Sequence, residues 1–133
     1  MIRRREFMTV LAGATAWPLA ARAQQPALPV VAFINGGTAN NITASRNAAA
    51  FSRGLDQTGF IEGQNVRTEF YWLEGHYDRL PALLTDLVRR RVALITTPGS
   101  TPASLAAKAA TTSIPIVFGV PENAVQLGLV ARV

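Results

Sequence analysis

The chain has 133 residues, no cysteine and a formal net charge of +5. The lack of cysteine excludes disulfides, thiolate metal sites and a lipidated N-terminal cysteine. Arg3, Arg4, Arg5 and Arg22 against Glu6 supply +3 of the charge, so the remaining +2 is too small to argue for a nucleic-acid partner.

The chain opens with Arg4-Arg5-Glu6-Phe7, a twin-arginine pair followed by an aromatic. An apolar stretch runs from Met8 to Ala21, and Ala21-Arg22-Ala23 has the small-x-small form of a signal-peptidase site. The apolar run is too short to cross a bilayer and is interrupted by Gly13 and Pro18. These features predict an export signal over residues 1–23, cleaved after Ala23, and a periplasmic protein that is not a lipoprotein. Residues 24–133 then suffice for one modest domain.

Leu28 to Ile34 is a continuous apolar run, which predicts a strand buried on both faces, followed by Asn35-Gly36-Gly37-Thr38. Thr43 is the expected cap of a helix whose apolar face holds Ala44, Ala48, Phe51 and Leu55. Gly59 with Phe60 has the form of a helix stop with a hydrophobic latch. Val66 to Trp72 reads as a second strand. Asp78 is the expected cap of a second helix, tolerant of Pro81 in its first turn, with Leu80, Leu83, Leu84, Leu87 and Val88 as its stripe. Arg89, Arg90 and Arg91 close it where positive charge suits the helix dipole.

Val92 to Thr97 is the third expected strand, and Pro98-Gly99-Ser100 a tight loop. Thr101 with Pro102 reads as a cap and first-position pair opening an alanine-rich helix. Ile114 to Val120 is the fourth strand, and Asn123 to Val130 is expected to begin another helix. Strands alternating with helices predict an α/β fold with a mostly parallel sheet and helices on both faces, in one flavodoxin-like domain.

In such sheets ligands bind beyond the carboxyl ends of the strands, where strand order reverses. The loop Thr97-Pro98-Gly99-Ser100-Thr101 is the leading candidate. Its small residues let backbone approach a ligand, its hydroxyls donate, and a helix begins at its end, which suits a carboxylate or small anion. An ordinary loop in which Thr101 serves only its own helix fits the residues equally well. Asn35 and Thr38 are further polar candidates, with Asn-Gly-Gly equally a plain turn, and Tyr71, Trp72 and Tyr77 could supply an aromatic wall, although aromatics near a strand end more often just pack. His76 is the sole histidine, so no metal site is expected and it reads as a surface residue. No cofactor is implied. The chain has no Gly-x-Ser-x-Gly elbow, phosphate loop or dinucleotide fingerprint, so it does not read as an enzyme.

Arg4 to Phe7 and Ala16 to Pro26 resemble the start of exported ABC-transporter substrate-binding proteins of the tryptophan/tyrosine type. Phe51 to Leu55, Gly59 to Val66, Tyr77 to Leu83, Asp86 to Val88 and Thr101 to Phe118 extend the likeness over nearly the whole chain. The resemblance implies a type I periplasmic-binding-protein fold that clamps a small organic solute between two lobes and docks on a membrane permease. Aromatic amino acids are among that family's ligands. It implies Asn35, Thr97, Ser100, Thr101 and Asn123 as ligand-binding positions in this lobe. Two departures stand out. Pro121-Glu122-Asn123-Ala124-Val125 replaces the family's Gly-Gly-Asp-Pro-Val, and the chain stops at Val133, inside the fifth unit. The expected molecule is therefore a truncated, incomplete N-terminal lobe that self-associates in isolation. A small exported α/β enzyme and a non-functional relic are the competing readings.

Overall fold

The computed structural model describes residues 27–131. The expected signal segment and its cleavage point lie outside the described residues. Four strands form one sheet: β1 (Val30–Asn35), β2 (Arg67–Trp72), β3 (Leu94–Pro98) and β4 (Ile116–Gly119). Their order is β2-β1-β3-β4 and every pairing is parallel. Three helices connect them: α1 (Ile42–Gln57), α2 (Leu80–Arg89) and α3 (Thr101–Ala110). This is the lobe architecture expected of a periplasmic-binding-protein fold.

The sheet winds outward in two directions from β1, and the helices divide accordingly. Ala32, Ile34 and Ile95 point to one face, where Leu80, Leu84 and Leu87 of α2 and Ala103 and Ala107 of α3 close the main core. Small alanines on α3 allow that helix to approach the sheet closely. Phe33 points to the opposite face and meets Phe51 of α1 with ring centroids 5.6 Å apart. Phe33 also touches Phe70 at 5.2 Å and Trp72 at 5.9 Å, while Phe70 and Trp72 stack on each other. Trp72 is thus a packing residue beneath α1. Its neighbour Tyr71 turns to the other face, where its hydroxyl donates to Glu69 at 2.5 Å.

The stop of α1 follows the expected chemistry. Gly59 has φ +94°, Phe60 N–H bonds Leu55 O at 2.9 Å, and Gly59 N–H bonds Asp56 O at 3.1 Å. That pair of bonds is the Schellman motif. Three caps differ from expectation. Asn41, rather than Thr43, caps α1 by accepting from Ala44 N–H at 3.0 Å. A short 3-10 turn at Tyr77–Arg79 precedes α2, so Asp78 sits inside that turn and no side chain caps α2. Ser100, rather than Thr101, caps α3. The segment Asn123–Val130 forms consecutive turns in place of the expected helix. Asn123 Oδ1 does accept from Val125 and Gln126 N–H, and Leu129 is buried, so the segment is anchored without becoming regular.

A charged cluster ties the edge strand β2 to the end of α2. Both carboxylate oxygens of Glu69 accept from Arg90, at 2.7 and 3.2 Å, and Arg67 adds a bond of 2.6 Å. Arg90 Nε also reaches Asp86 at 3.0 Å. Donation from Arg90 above all, then from Tyr71, pulls the Glu69 carboxyl from 4.5 down to about 2. Arg90, expected simply to meet the helix dipole, is the hinge of this cluster.

Candidate functional site

Because β2 lies on one side of β1 and β3 on the other, the β1–α1 and β3–α3 loops leave toward opposite faces. The opening between them, at the carboxyl ends of β1 and β3, is the topological switch point. Two short segments border it, Asn35–Thr38 and Pro98–Thr101. Asn35 joins them: its Nδ2 donates to Pro98 O at 3.1 Å while its Oδ1 accepts from Gly37 N–H at 2.8 Å. Asn35 is buried, and both ends of its amide are used. It therefore sets the spacing of the two loops.

Thr97 is fully buried and turned toward α3, with its hydroxyl 2.8 Å from Ser104 Oγ. Ser104 Oγ in turn donates to Ser100 O at 2.8 Å. This chain of hydroxyls secures the first turn of α3 to the end of β3. Ser100 is buried as well, and its Oγ accepts from Ala103 N–H at 3.4 Å. Gly99 makes the turn possible with φ +72°, and its N–H bonds Gly119 O at 2.8 Å, carrying the β3–β4 ladder into the loop. Thr101, freed from capping, donates its hydroxyl to the Glu122 carboxylate at 2.7 Å. That bond draws the β4 exit loop, with Asn123, beside the start of α3.

The structure thus brings Asn35, Thr97, Ser100 and Thr101 into one neighbourhood, with Asn123 on its border. Thr97 and Ser100 are engaged inside the protein, whereas Thr101 and the exposed loop backbone face outward. Sequence reasoning passed over two polar groups. Asn47 Nδ2 on α1 lies 3.5 Å from where a Cβ on Gly99 would sit, and Glu122 was noticed only as a departure from the family pattern. Both approach the loop across long sequence separations, for which the local pattern holds no signal.

Two concave regions lie elsewhere. One, about 220 Å³, is lined by Leu55, Phe60, Val66 and Phe70 between α1 and the start of β2. Another, about 540 Å³, runs along Pro29, Val30, Arg91 and Val92 at the amino ends of β1 and β3. Among the described residues no group of three or more His, Asp or Glu side chains could hold a metal ion. No helix among the described residues is long and apolar enough to cross a membrane.

A parallel sheet with reversed strand order and short polar loops at its carboxyl edge is the doubly wound α/β arrangement, with its candidate site at the switch point. Solved structures with this fold include a ligand-free, open substrate-binding protein with adhesive properties from Clostridium difficile. It has a TM-score of 0.71 and 22% identity, and the match covers 79% of this chain and 35% of that one. A domain from Streptococcus pneumoniae in complex with L-Trp matches at a TM-score of 0.69 and 18% identity, covering 80% of this chain and 35% of that one. The branched-chain amino acid transporter substrate-binding protein LivJ from Streptococcus pneumoniae, in complex with isoleucine, matches at 0.55 and 19% identity, over 77% and 32%. The chain spans about a third of the length of these proteins. No protein-family model matches it, and no curated protein does.

Proposed function

We propose that residues 24–133 form the N-terminal lobe of the extracytoplasmic solute-binding component of an ABC importer, and that residues 1–23 export it. The ligand is a small organic solute of the amino-acid class, held at the carboxyl ends of the strands. The observation that carries this reading is the switch-point opening, where Asn35 fixes one loop against the other and exposed backbone is left facing out. The neighbours solved with L-Trp and with isoleucine support the ligand class.

The chemistry required is recognition alone. The start of α3, which opens at Thr101, suits a carboxylate, and Thr101 with Glu122 offers polar contact beside it. Asn123 borders this surface through the exit loop. Buried Thr97 and Ser100 act beneath it, holding the start of α3 in place. The loaded protein delivers its solute to a membrane permease without transforming it, and needs no metal or cofactor.

Saturation-transfer NMR of the purified chain against a panel of amino acids, sugars and small carboxylates tests the reading. Transfer to at least one amino acid, L-tryptophan or L-isoleucine included, is expected. Transfer only to sugars, or to no member, contradicts it. For export, replacing Arg4 and Arg5 by lysine should retain the precursor in the cytoplasm, and mass spectrometry of the wild-type product should find Gln24 at its N-terminus. Unchanged export of the double variant rules out the twin-arginine route.

A further inference from the structure

Gly36 does not owe its identity to backbone conformation, since it is not among the positive-φ glycines. Its lack of a side chain is a matter of space. A Cβ at this position would lie 2.3 Å from Tyr77 Oη and 3.0 and 3.1 Å from two carbons of the Tyr77 ring. The ring therefore rests against the backbone at the end of β1, a contact that any side chain at position 36 prevents.

Tyr77 is not there to fill a core. It is 41% exposed, and among the described residues its hydroxyl has no hydrogen-bond partner. Yet the turn that delivers it is firmly built. Gly75 N–H bonds Gly36 O at 2.9 Å, Glu74 N–H bonds Gly37 O at 3.1 Å, and His76 N–H bonds Leu73 O at 2.8 Å. Glu74 adopts φ 54°, a left-handed conformation that is unfavourable for a side-chain-bearing residue. Backbone strain of this kind collects where surrounding structure fixes a functional group.

The location gives the arrangement its meaning. Tyr77 precedes α2 and Ser100 opens α3, and these two helices pack on the same face of the sheet. Both begin at the carboxyl edge, so Tyr77 and the first turn of α3 stand on that face at either side of the ends of β1 and β3. The β1–α1 loop departs toward the other face.

We propose that Tyr77 is a ligand-contacting specificity residue of this lobe. Its ring is a wall for the apolar part of an amino-acid-class solute, its hydroxyl bonds a polar group of that solute, and Gly36 is the gap that admits the ring. The proposal rests on the solute-binding reading above and adds a residue and a side-chain preference to it.

The test is titration of the ¹⁵N-labelled chain with L-tryptophan, comparing wild type with Tyr77→Phe, Tyr77→Ala, Gly36→Ala and the double variant Gly36→Ala/Tyr77→Ala. Loss of the hydroxyl alone should weaken binding about fivefold, and loss of the ring about tenfold or more. Gly36→Ala should displace the phenol and match Tyr77→Ala. In the Tyr77→Ala background it should cost nothing further, because there is no ring left to displace. A purely structural glycine would not show that non-additivity. Since Tyr77 is at the surface, Tyr77→Phe should keep the wild-type amide spectrum and so supplies a folded comparison. Wild type that titrates while every variant stays within about twofold of it overturns this inference and leaves the solute-binding reading intact. Wild type that titrates with no amino acid overturns both.

Discussion

The Glu69–Arg90 cluster makes a pH-dependent prediction of defined sign. Glu69→Gln removes the charge but keeps the shape of the side chain that ties β2 to α2. A carboxyl moved from 4.5 to about 2 on folding corresponds to about 3 kcal/mol by linkage. The Glu69 and Arg90 side chains remain 19% and 34% exposed, so solvent screening reduces the expected contribution to about 1–2 kcal/mol. The folded-state value is depressed, so this stability is present above 4.5 and is lost as pH falls from there through about 2. Urea unfolding at pH 7 should place Glu69→Gln about 1–2 kcal/mol below wild type, and by pH 3 more than half of that gap should have closed. A gap that stays constant between pH 7 and pH 3 would refute the electrostatic account and leave only shape or packing as its source.

Ser100→Ala should destabilise the chain by about 1 kcal/mol, because it removes the cap of α3, whereas Thr101→Ala should change the denaturation midpoint little; the reverse ranking would return the cap to Thr101. β4 is an edge strand with Val117 52% exposed, so the purified chain should self-associate. Val117→Lys should shift it toward monomer by light scattering, and a wild-type monomer at high concentration would speak against the edge as a sticky surface.

The fold was legible because apolar periodicity is local. The continuous run before Asn35 marked β1, the Leu80–Leu84–Leu87 spacing marked the buried face of α2, and Gly59-Phe60 announced the Schellman stop of α1. The caps were misplaced where polar residues stand close together. Asn41 and Thr43, or Ser100 and Thr101, offer the same chemistry, and a proline is tolerated at either of the first two helical positions. Strand phase was hidden for a related reason. A run buried on both faces does not show which way Thr97 points, and only the packed α3 reveals that its hydroxyl meets Ser104. The turns after Asn123 have a capping side chain and apolar residues, yet those local signals did not produce a helix.

The candidate site was legible in outline. Topology points to the carboxyl ends, and the small polar residues single out two loops there. The contacts that shape it join distant positions: Asn35 to Pro98, Thr101 to Glu122, and Tyr77 to Gly36. Gly36 was the one visible sign of the last contact, and an Asn-Gly-Gly sequence is read first as a turn. In the fold its first glycine instead leaves room for an aromatic ring.

The most direct test of the central claim is an amide chemical-shift map of the labelled chain during titration with L-tryptophan. Binding at the switch point predicts shifts concentrated at Asn35–Thr38, Gly99–Ala103 and Val120–Asn123. An open, one-sided surface leaves much of a ligand wet, so the fitted dissociation constant should be weaker than about 1 μM, roughly −8 kcal/mol. Shifts concentrated instead at Leu28–Val30 and Arg91–Ala93, at the amino ends of the strands, would contradict the account.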